Sequence, residues 1–233
     1  LYKCYEDKGW DVMTGKNKYY DNPFADGVFS RLLEGLLVSA EISLISALFS
    51  LVFGVIFGLF MTIDFWLTKL ISRIYLEFVR IMPQLVLLFI MYFGVSSWLG
   101  LDISAFLSSV IVFTFWGTAE MGDLVRSALI NTPKHQYESA FALGLNKTQT
   151  YAYIIIPQTI KNLTPLSINL ITRIIKTTSL VALIGVVEVL KVAEQIIDST
   201  RFSHPNGALW VYGAVFMMYF VLCFATSLCS KFF

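Results

Sequence analysis

The feature that most constrains the fold of this chain is a long run of apolar residues between positions 35 and 63, in which Glu41 is the one charged side chain. A helix needs about 20 mostly apolar residues to cross the hydrocarbon core of a bilayer, at about 1.5 Å of rise per residue. The run exceeds that minimum, and its excess length is compatible with a tilted helix. It therefore predicts a first transmembrane span.

Four further segments predict membrane spans, namely residues 81–98, 103–121, 158–185 and 207–230. Over the whole chain 57% of the residues are hydrophobic and 14% are charged, whereas soluble domains are about one quarter charged. We therefore expect an all-α polytopic membrane protein with about five transmembrane helices. Residues 186–206 have the pattern of a short amphipathic helix at one membrane surface.

The fourth predicted span contains two cations, Arg173 and Lys176, three positions apart on one helical face. Each costs about 2.5 to 3.5 kcal/mol at the bilayer centre, so the pair costs about 5 to 7 kcal/mol before compensation. One interpretation is that they snorkel to an interface or pair with carboxylates of other spans, for which the candidates are Glu41, Glu120 and Asp123. The other is that one or both hold the carboxylate of a transported substrate.

Several function classes are excluded by what the sequence contains. The formal net charge is +1, which gives no basis for bulk binding to nucleic acid. Cys4, Cys223 and Cys229 are unclustered, and His135 and His204 have no neighbour at metal-ligand spacing, so we expect no metal site. The chain also lacks a phosphate-binding loop and any arrangement of nucleophile and base, so we expect it to bind no cofactor and not to be an enzyme.

A polar insert between the third and fourth spans predicts a helix, a sharp turn and a second helix. Pro133 can begin the first helix, Gly144 can break it, and Pro157 can begin the next. The first of these helices has an apolar stripe and is attached to the spans on either side. Such a helix is suited to dock into a groove on another protein.

This insert resembles the signature loop of the permease subunits of ATP-binding-cassette importers. That signature is Glu-Ala-Ala, three residues, Gly, nine residues and Ile-x-Leu-Pro, and the spacing here is complete. The matching positions are Glu138, Ser139, Ala140, Gly144, Ile154, Ile156 and Pro157. Ser139 replaces the family's alanine and Ile156 its leucine, and the resemblance implies that this loop couples the chain to an ATPase.

The resemblance extends over about residues 30–230 to the branch that imports polar amino acids. At the second span the matching positions are Glu77, Arg80, Pro83, Leu85 and Val86, with Ile81 and Met82 replacing the usual Gly-Thr. At the exit of the third span they are Asp123, Arg126, Pro133, Lys134, Gln136 and Glu138. Along the fourth span they are Gln158, Asn169, Lys176, Thr178, Ser179, Leu180, Ile184 and Gly185.

The resemblance implies the type I ABC-importer permease fold, with residues 1–27 as an extracytoplasmic segment and 28–233 as the transmembrane domain. Residues 122–157 would form the cytoplasmic coupling loop. The implied partners are a second permease subunit, two ATPase subunits that carry ATP and Mg, and an external amino-acid-binding protein. The implied location is the inner membrane, with the N-terminus outside and the C-terminus in the cytoplasm.

Within this scheme three groups of residues have expected roles. The ATPase-coupling group is Glu138, Ser139, Ala140, Gly144 and Pro157. The substrate-path group is Arg173, Lys176, Glu41, Glu120 and Asn169. The structural or gating group is Arg80, Pro83, Asp123, Arg126 and Gly185, of which Asp123 and Arg126 are expected to pair within one helix.

The cargo expected from these residues is a polar amino acid. Lys176 matches a lysine of the family, whereas Arg173 departs from the family's pattern. A guanidinium can grip a second carboxylate with two hydrogen bonds, which favours aspartate or glutamate. Glutamine, basic and other polar amino acids stay open, as does an ion-coupled secondary transporter or channel, although we find no inverted repeat of the kind such transporters use.

Overall fold

A computed structural model of the chain describes residues 26–100, 102–201 and 207–228. Residues 1–25, most of the expected extracytoplasmic segment, lie outside the described residues. The described part contains ten α-helices in chain order: α1 (Asp26–Met61), α2 (Trp66–Ile81), α3 (Gln84–Phe89), α4 (Val95–Leu99), α5 (Ala105–Ile130), α6 (Lys134–Ala142), α7 (Lys147–Thr150), α8 (Ile156–Thr177), α9 (Val189–Thr200) and α10 (Gly207–Leu228). Two π-helical turns, Ile90–Gly94 and Tyr151–Ile155, join α3 to α4 and α7 to α8.

Four continuous helical stretches in the described ranges are long and apolar enough to cross a membrane. They are α1, α5, α10 and the stretch Lys147–Ile184, which includes α7 and α8. A fifth candidate is the pair formed by α2 and the segment Gln84–Gly94, which meet at an angle of 100°. The expectation of an all-α membrane protein with about five spans is confirmed.

The sharp bend between α2 and α3 lies at Met82 and Pro83. Proline disfavours the helical conformation in the residue before it, and Met82 is accordingly extended, with φ −75° and ψ 129°. Pro83 then precedes the first residue of α3. The second span therefore begins at this proline, close to the position expected from the apolar run.

The central core is built on the packing of α1 against α5. A Cβ atom placed on Gly54 would lie 2.4 Å from the Cβ of Met121, so the two helices approach each other closely at this point. The same core contains the largest fully buried apolar side chains, among them Ile42, Leu88 and Phe113. The first and third spans thus pack closely together, and the polar fourth span packs against them.

The fourth span differs from its expected form: α8 begins at Ile156, with Pro157 as its second residue, but it continues a helical stretch that starts earlier in the chain. That stretch begins at Lys147, where Asn146 and Gln149 form a reciprocal capping box, and it continues through Pro157. The π-helical turn Tyr151–Ile155 lies just before the proline, whose missing N–H would interrupt a regular helical ladder. An α-helix therefore does begin beside Pro157, as expected, but no break separates it from the helical turns before it.

A second, smaller core joins the two ends of the described chain. Val189, Val192 and Ile196 of α9 pack with Val28 of α1 and Val211 of α10. The helix α9 is the short helix expected after the fourth span, and it occupies a shorter range than the predicted residues 186–206. The rest of α10 is largely exposed in the single chain.

Candidate translocation path and coupling loop

A polar stripe runs along one face of α8. Successive members lie four, seven, four and three positions apart, which places them on one side of a helix. All of them are exposed in the single chain: Gln158, Asn162, Asn169, Arg173 and Lys176. Because unpaired polar groups in hydrocarbon are costly, this stripe must face protein or water within the membrane.

Arg173 lies at the point where the stripe meets α5. Its guanidinium donates to Glu120 Oε2 at 3.0 Å and stands over the ring of Trp116, 4.8 Å from the centroid. The Arg173 side chain is 46% exposed and that of Glu120 is 21% exposed, so water can reach the pair. The structure thus provides one of the ion pairs considered for Arg173 and leaves the pair accessible.

The other expected path residues have different surroundings. Lys176 lies about one turn beyond Arg173, is exposed, and makes no ion pair within the described ranges. Asn169 lies one turn before Arg173 and is exposed, and its backbone carbonyl accepts a hydrogen bond from the Thr172 hydroxyl. Glu41 is exposed on α1, and no hydrogen bond or ion pair joins it to the described residues. Arg173, Glu120, Lys176 and Asn169 therefore share one region, whereas no contact links Glu41 to it.

The expected gating group forms a charge network around Asp123. The Asp123 carboxylate accepts a hydrogen bond from Arg80 at 2.6 Å and lies 3.5 Å from Arg126. It therefore forms ion pairs with cations on both α2 and α5. The expected pair within α5 is present, and its link to α2 was not foreseen. Gly185 ends the 3₁₀ turn Thr178–Ile184 in the left-handed conformation, with φ +91°.

The expected coupling residues lie on and around α6. Ala140 is fully buried, whereas Glu138 and Ser139 are exposed. After the helix, Gly144 has φ +80°, a conformation that residues with a side chain rarely adopt, and it turns the chain towards α7. The short helix α6 is therefore followed by a sharp turn, and the Glu138 carboxylate lies on its exposed surface.

Two contacts fix α6 against the base of the fourth span. The Tyr137 and Tyr151 rings meet edge to face at 5.9 Å, and Gln158 donates to Gln136 at 3.3 Å. Burial raises the pKa of Tyr137, and the neighbouring Tyr151 raises it further, so the Tyr137 phenol stays neutral at physiological pH. The coupling-loop helix α6 is therefore in direct contact with the base of the helical stretch that carries the polar stripe.

Glu188 is a buried carboxylic acid that was not among the candidate residues identified from the sequence. It is 0% exposed and accepts hydrogen bonds at 3.0 Å from the hydroxyls of Ser39 and Tyr219 and from the backbone N–H of Lys191. Burial raises the pKa of Glu188, while these hydrogen bonds act in the opposite direction. The side chain connects α1, α9 and α10, and it lies outside the polar stripe.

A bundle of spans with a polar stripe on one of them and a helix held on a turn outside them is the architecture of a membrane-spanning transport subunit. The chain belongs to the family of binding-protein-dependent transport system inner membrane components, whose pattern matches residues 42–233. The importer-permease family expected from the loop is therefore confirmed. In such systems the permease subunit is not itself catalytic.

Individual relatives support the same assignment. A probable amino-acid ABC transporter permease of Bacillus subtilis, YckA, is 35% identical over 152 residues, which are 65% of this chain and 65% of that protein. The probable amino-acid permease PatM of Vibrio harveyi is 31% identical over 168 residues, 69% of this chain and 74% of PatM. The arginine transport permease ArtQ of Bacillus subtilis is 29% identical over 164 residues, 70% of this chain and 75% of ArtQ.

Solved structures show the same fold. The crystal structure of an amino acid ABC transporter with histidines superposes with a TM-score of 0.77 at 24% identity, covering 88% of this chain and 95% of that one. An inward-facing MetNI methionine ABC transporter gives a TM-score of 0.69 at 17% identity, covering 88% of this chain and 95% of the other. These likenesses identify the type I ABC-importer permease fold.

Proposed function

We propose that this chain is the permease subunit of an ATP-driven amino-acid importer and that the polar stripe of α8 lines its translocation path. The observation that carries the proposal is the exposure of Asn169, Arg173 and Lys176 on a helix that crosses the bilayer. Such a face needs water or a second permease subunit opposite it. A path between two subunits supplies both.

The coupling role rests on the geometry of α6. Phe141, three positions after Glu138 on α6, and Leu143, just after the helix, are exposed apolar residues. With the exposed Glu138 carboxylate they suit a groove on an ATPase subunit. Two ATPase subunits would bind ATP and Mg, this chain would bind no cofactor, and an external binding protein would deliver the amino acid. Closure of the ATPases would push α6 and drive alternating access.

This function places the chain in the inner membrane. The coupling helix α6 must meet the ATPase subunits in the cytoplasm, so the ends of α5 and α8 that flank it face the cytoplasm. The N-terminus would then lie outside and the C-terminus inside, because five spans separate them.

For the cargo, the two cations of the stripe have different roles. Lys176 has no competing carboxylate in the described part of the chain, so it is the better partner for the α-carboxylate that every amino acid carries. Arg173 already forms an ion pair with Glu120. Binding of aspartate or glutamate would require the second carboxylate to compete with Glu120, and Arg173 is accessible enough for that exchange.

The deciding experiment is ATP-dependent uptake of radiolabelled amino acids into proteoliposomes containing the chain with its ATPase, second permease and binding protein. We expect saturable uptake of a polar amino acid that stops without ATP. Arg173→Leu should reduce uptake of acidic cargo far more than uptake of neutral cargo, whereas equal losses would assign Arg173 a structural role. Uptake without ATP or partners would instead favour the ion-coupled transporter.

A variant of the coupling helix α6 tests its role in the same uptake assay. Glu138→Lys should let the ATPases hydrolyse ATP without driving uptake, because the reversed charge weakens docking while the chain remains in the membrane. Ser139→Ala serves as the matched control, since it restores the residue that the family has at this position. Normal coupled uptake by Glu138→Lys would remove Glu138 from the docking surface.

A further inference from the structure

A charged cavity lies at the end of the bundle that adjoins the coupling helix, away from the polar stripe. It has a volume of about 500 Å³ and lies between α2 and the neighbouring ends of α1 and α5. Four cations line it, together with three carboxylates. The cations are Lys69, Arg73, Arg80 and Arg126.

The ion pairs around this cavity leave one cation without a partner. Asp64 pairs with Lys69, and Asp123 serves both Arg80 and Arg126. Within the ranges that the structure describes, Arg73 makes no ion pair, and neither does Glu77, which lies one turn further along α2. The Arg73 guanidinium is therefore available to bind an anion. The negative charge of Glu77 would repel that anion.

A buried hydroxyl at the same cavity also lacks a partner. Ser72 lines the cavity and is buried, and its Oγ has no hydrogen-bond partner in the described part of the chain. Buried polar groups in folded proteins are nearly always hydrogen-bonded. The hydroxyl next to Arg73 is thus an available donor for an anionic oxygen.

The helix that carries Ser72 and Arg73 has the form of a membrane-surface helix. Because α2 meets the segment Gln84–Gly94 at an angle of 100°, it lies nearly parallel to the bilayer plane when that segment runs along the membrane normal. Its apolar residues Trp66, Leu70, Ile71 and Ile74 are exposed in the chain. A helix with basic residues on one side and exposed apolar residues on another favours the boundary between headgroups and acyl chains.

We propose that this cavity binds the headgroup of an anionic phospholipid. The phosphate would accept charge-assisted hydrogen bonds from Arg73 and a hydrogen bond from Ser72, and the acyl chains would lie along the apolar residues of α2. The exposed apolar side chains distinguish a lipid from a free phosphate ion, which has no use for them. The site is separate from the substrate path and does not depend on the identity of the cargo.

The test measures lipid retention by the purified full chain with native mass spectrometry after delipidation. Phosphatidylglycerol and phosphatidylcholine with the same acyl chains are added in separate experiments. We expect preferential retention of phosphatidylglycerol, with Arg73→Gln reducing it about fivefold, the factor for about 1 kcal/mol per basic residue. Glu77→Gln should increase retention, because it removes the opposing charge.

The opposite directions of these two changes separate binding from folding, since a folding defect would lower retention in both variants. Lys161→Gln is the control, because Lys161 is also exposed and makes no ion pair within the described residues. Unchanged retention in Arg73→Gln, or equal retention of the two lipids, would overturn the proposal. Complete displacement of phosphatidylglycerol by millimolar inorganic phosphate would identify a free-anion site and would overturn it too.

Discussion

Two carboxylates of this bundle, Glu188 and Glu120, have opposite surroundings. Glu188 has no exposed surface and accepts hydrogen bonds from two hydroxyls and one backbone N–H. Glu120 is 21% exposed and pairs with Arg173, whose own side chain is 46% exposed. The first region is closed to water and fully hydrogen-bonded, whereas the second is open and its partners can be exchanged.

This difference separates a region suited to hold the fold together from a region suited to the proposed translocation path. Removing one partner from a closed polar cluster leaves the remaining groups buried and unsatisfied, which is costly. An open ion pair is screened by water, so breaking it costs little. The Glu188 cluster is therefore suited to hold three helices together, and the Arg173 region is suited to release and rebind charges during a transport cycle.

The largest effect is expected for Glu188→Ala. The change leaves the hydroxyls of Ser39 and Tyr219 without their shared acceptor and removes the cap at the start of α9. We expect a loss of about 3 kcal/mol in the free energy of unfolding, measured by denaturant titration of the purified protein in detergent. Glu41→Ala, at an exposed position on α1, is the matched control. If both variants unfold like the wild type, the Glu188 cluster is not a structural junction.

A second change tests the same junction through packing alone. A Cβ atom on Gly35 would lie 2.8 Å from the backbone of Val189, so Gly35→Ala should force α1 and α9 apart. We expect a loss of about 1 to 3 kcal/mol in the free energy of unfolding. The control is Gly213→Ala on α10, where no atom lies within 4 Å of the new Cβ. That control should be neutral or slightly stabilising, since alanine is the better helix former by about 1 kcal/mol, and equal behaviour of the two variants would contradict the close contact.

The two regions were also unequally predictable from the sequence. Long apolar runs predicted the spans, and the charges within the fourth of them identified Arg173 and Lys176 as unusual. Glu188 was missed because its side-chain partners lie 149 and 31 positions away in the chain, at Ser39 and Tyr219, and no local pattern links them. Its burial is a property of the tertiary packing.

The helix boundaries predicted from the sequence were wrong for a related reason. Apolar composition marks the part of a helix that lies in hydrocarbon, whereas α5 continues to Ile130, beyond the predicted end at residue 121. Pro157 was taken as a helix start, yet a π-helical turn before it lets the helix continue. The coupling motif was recognisable because its residues are close in sequence, and its turn requires a glycine at position 144.

A smaller effect on stability is expected in the open region. Glu120→Gln removes one partner of a partly exposed ion pair, so the free energy of unfolding should fall by about 1 kcal/mol or less. If the proposed path is correct, the freed Arg173 should increase uptake of aspartate or glutamate relative to neutral amino acids. Uptake competition in proteoliposomes measures that ratio. A loss of stability as large as that of Glu188→Ala would mean that the Glu120–Arg173 pair also holds the fold together, as the Glu188 cluster does.

The smallest effect on stability, with a large effect on transport, is expected for Lys176→Gln. Lys176 is exposed and makes no ion pair within the described ranges, so its loss should change the free energy of unfolding by no more than about 0.5 kcal/mol. Uptake should nevertheless fall for every amino acid carried, because the α-carboxylate loses its partner. Lys161→Gln on the same helix, also exposed, should leave uptake unchanged. Equal uptake by the two variants would show that Lys176 does not bind the α-carboxylate of the cargo. The Arg173–Glu120 pair would then be the remaining candidate for the cargo contact.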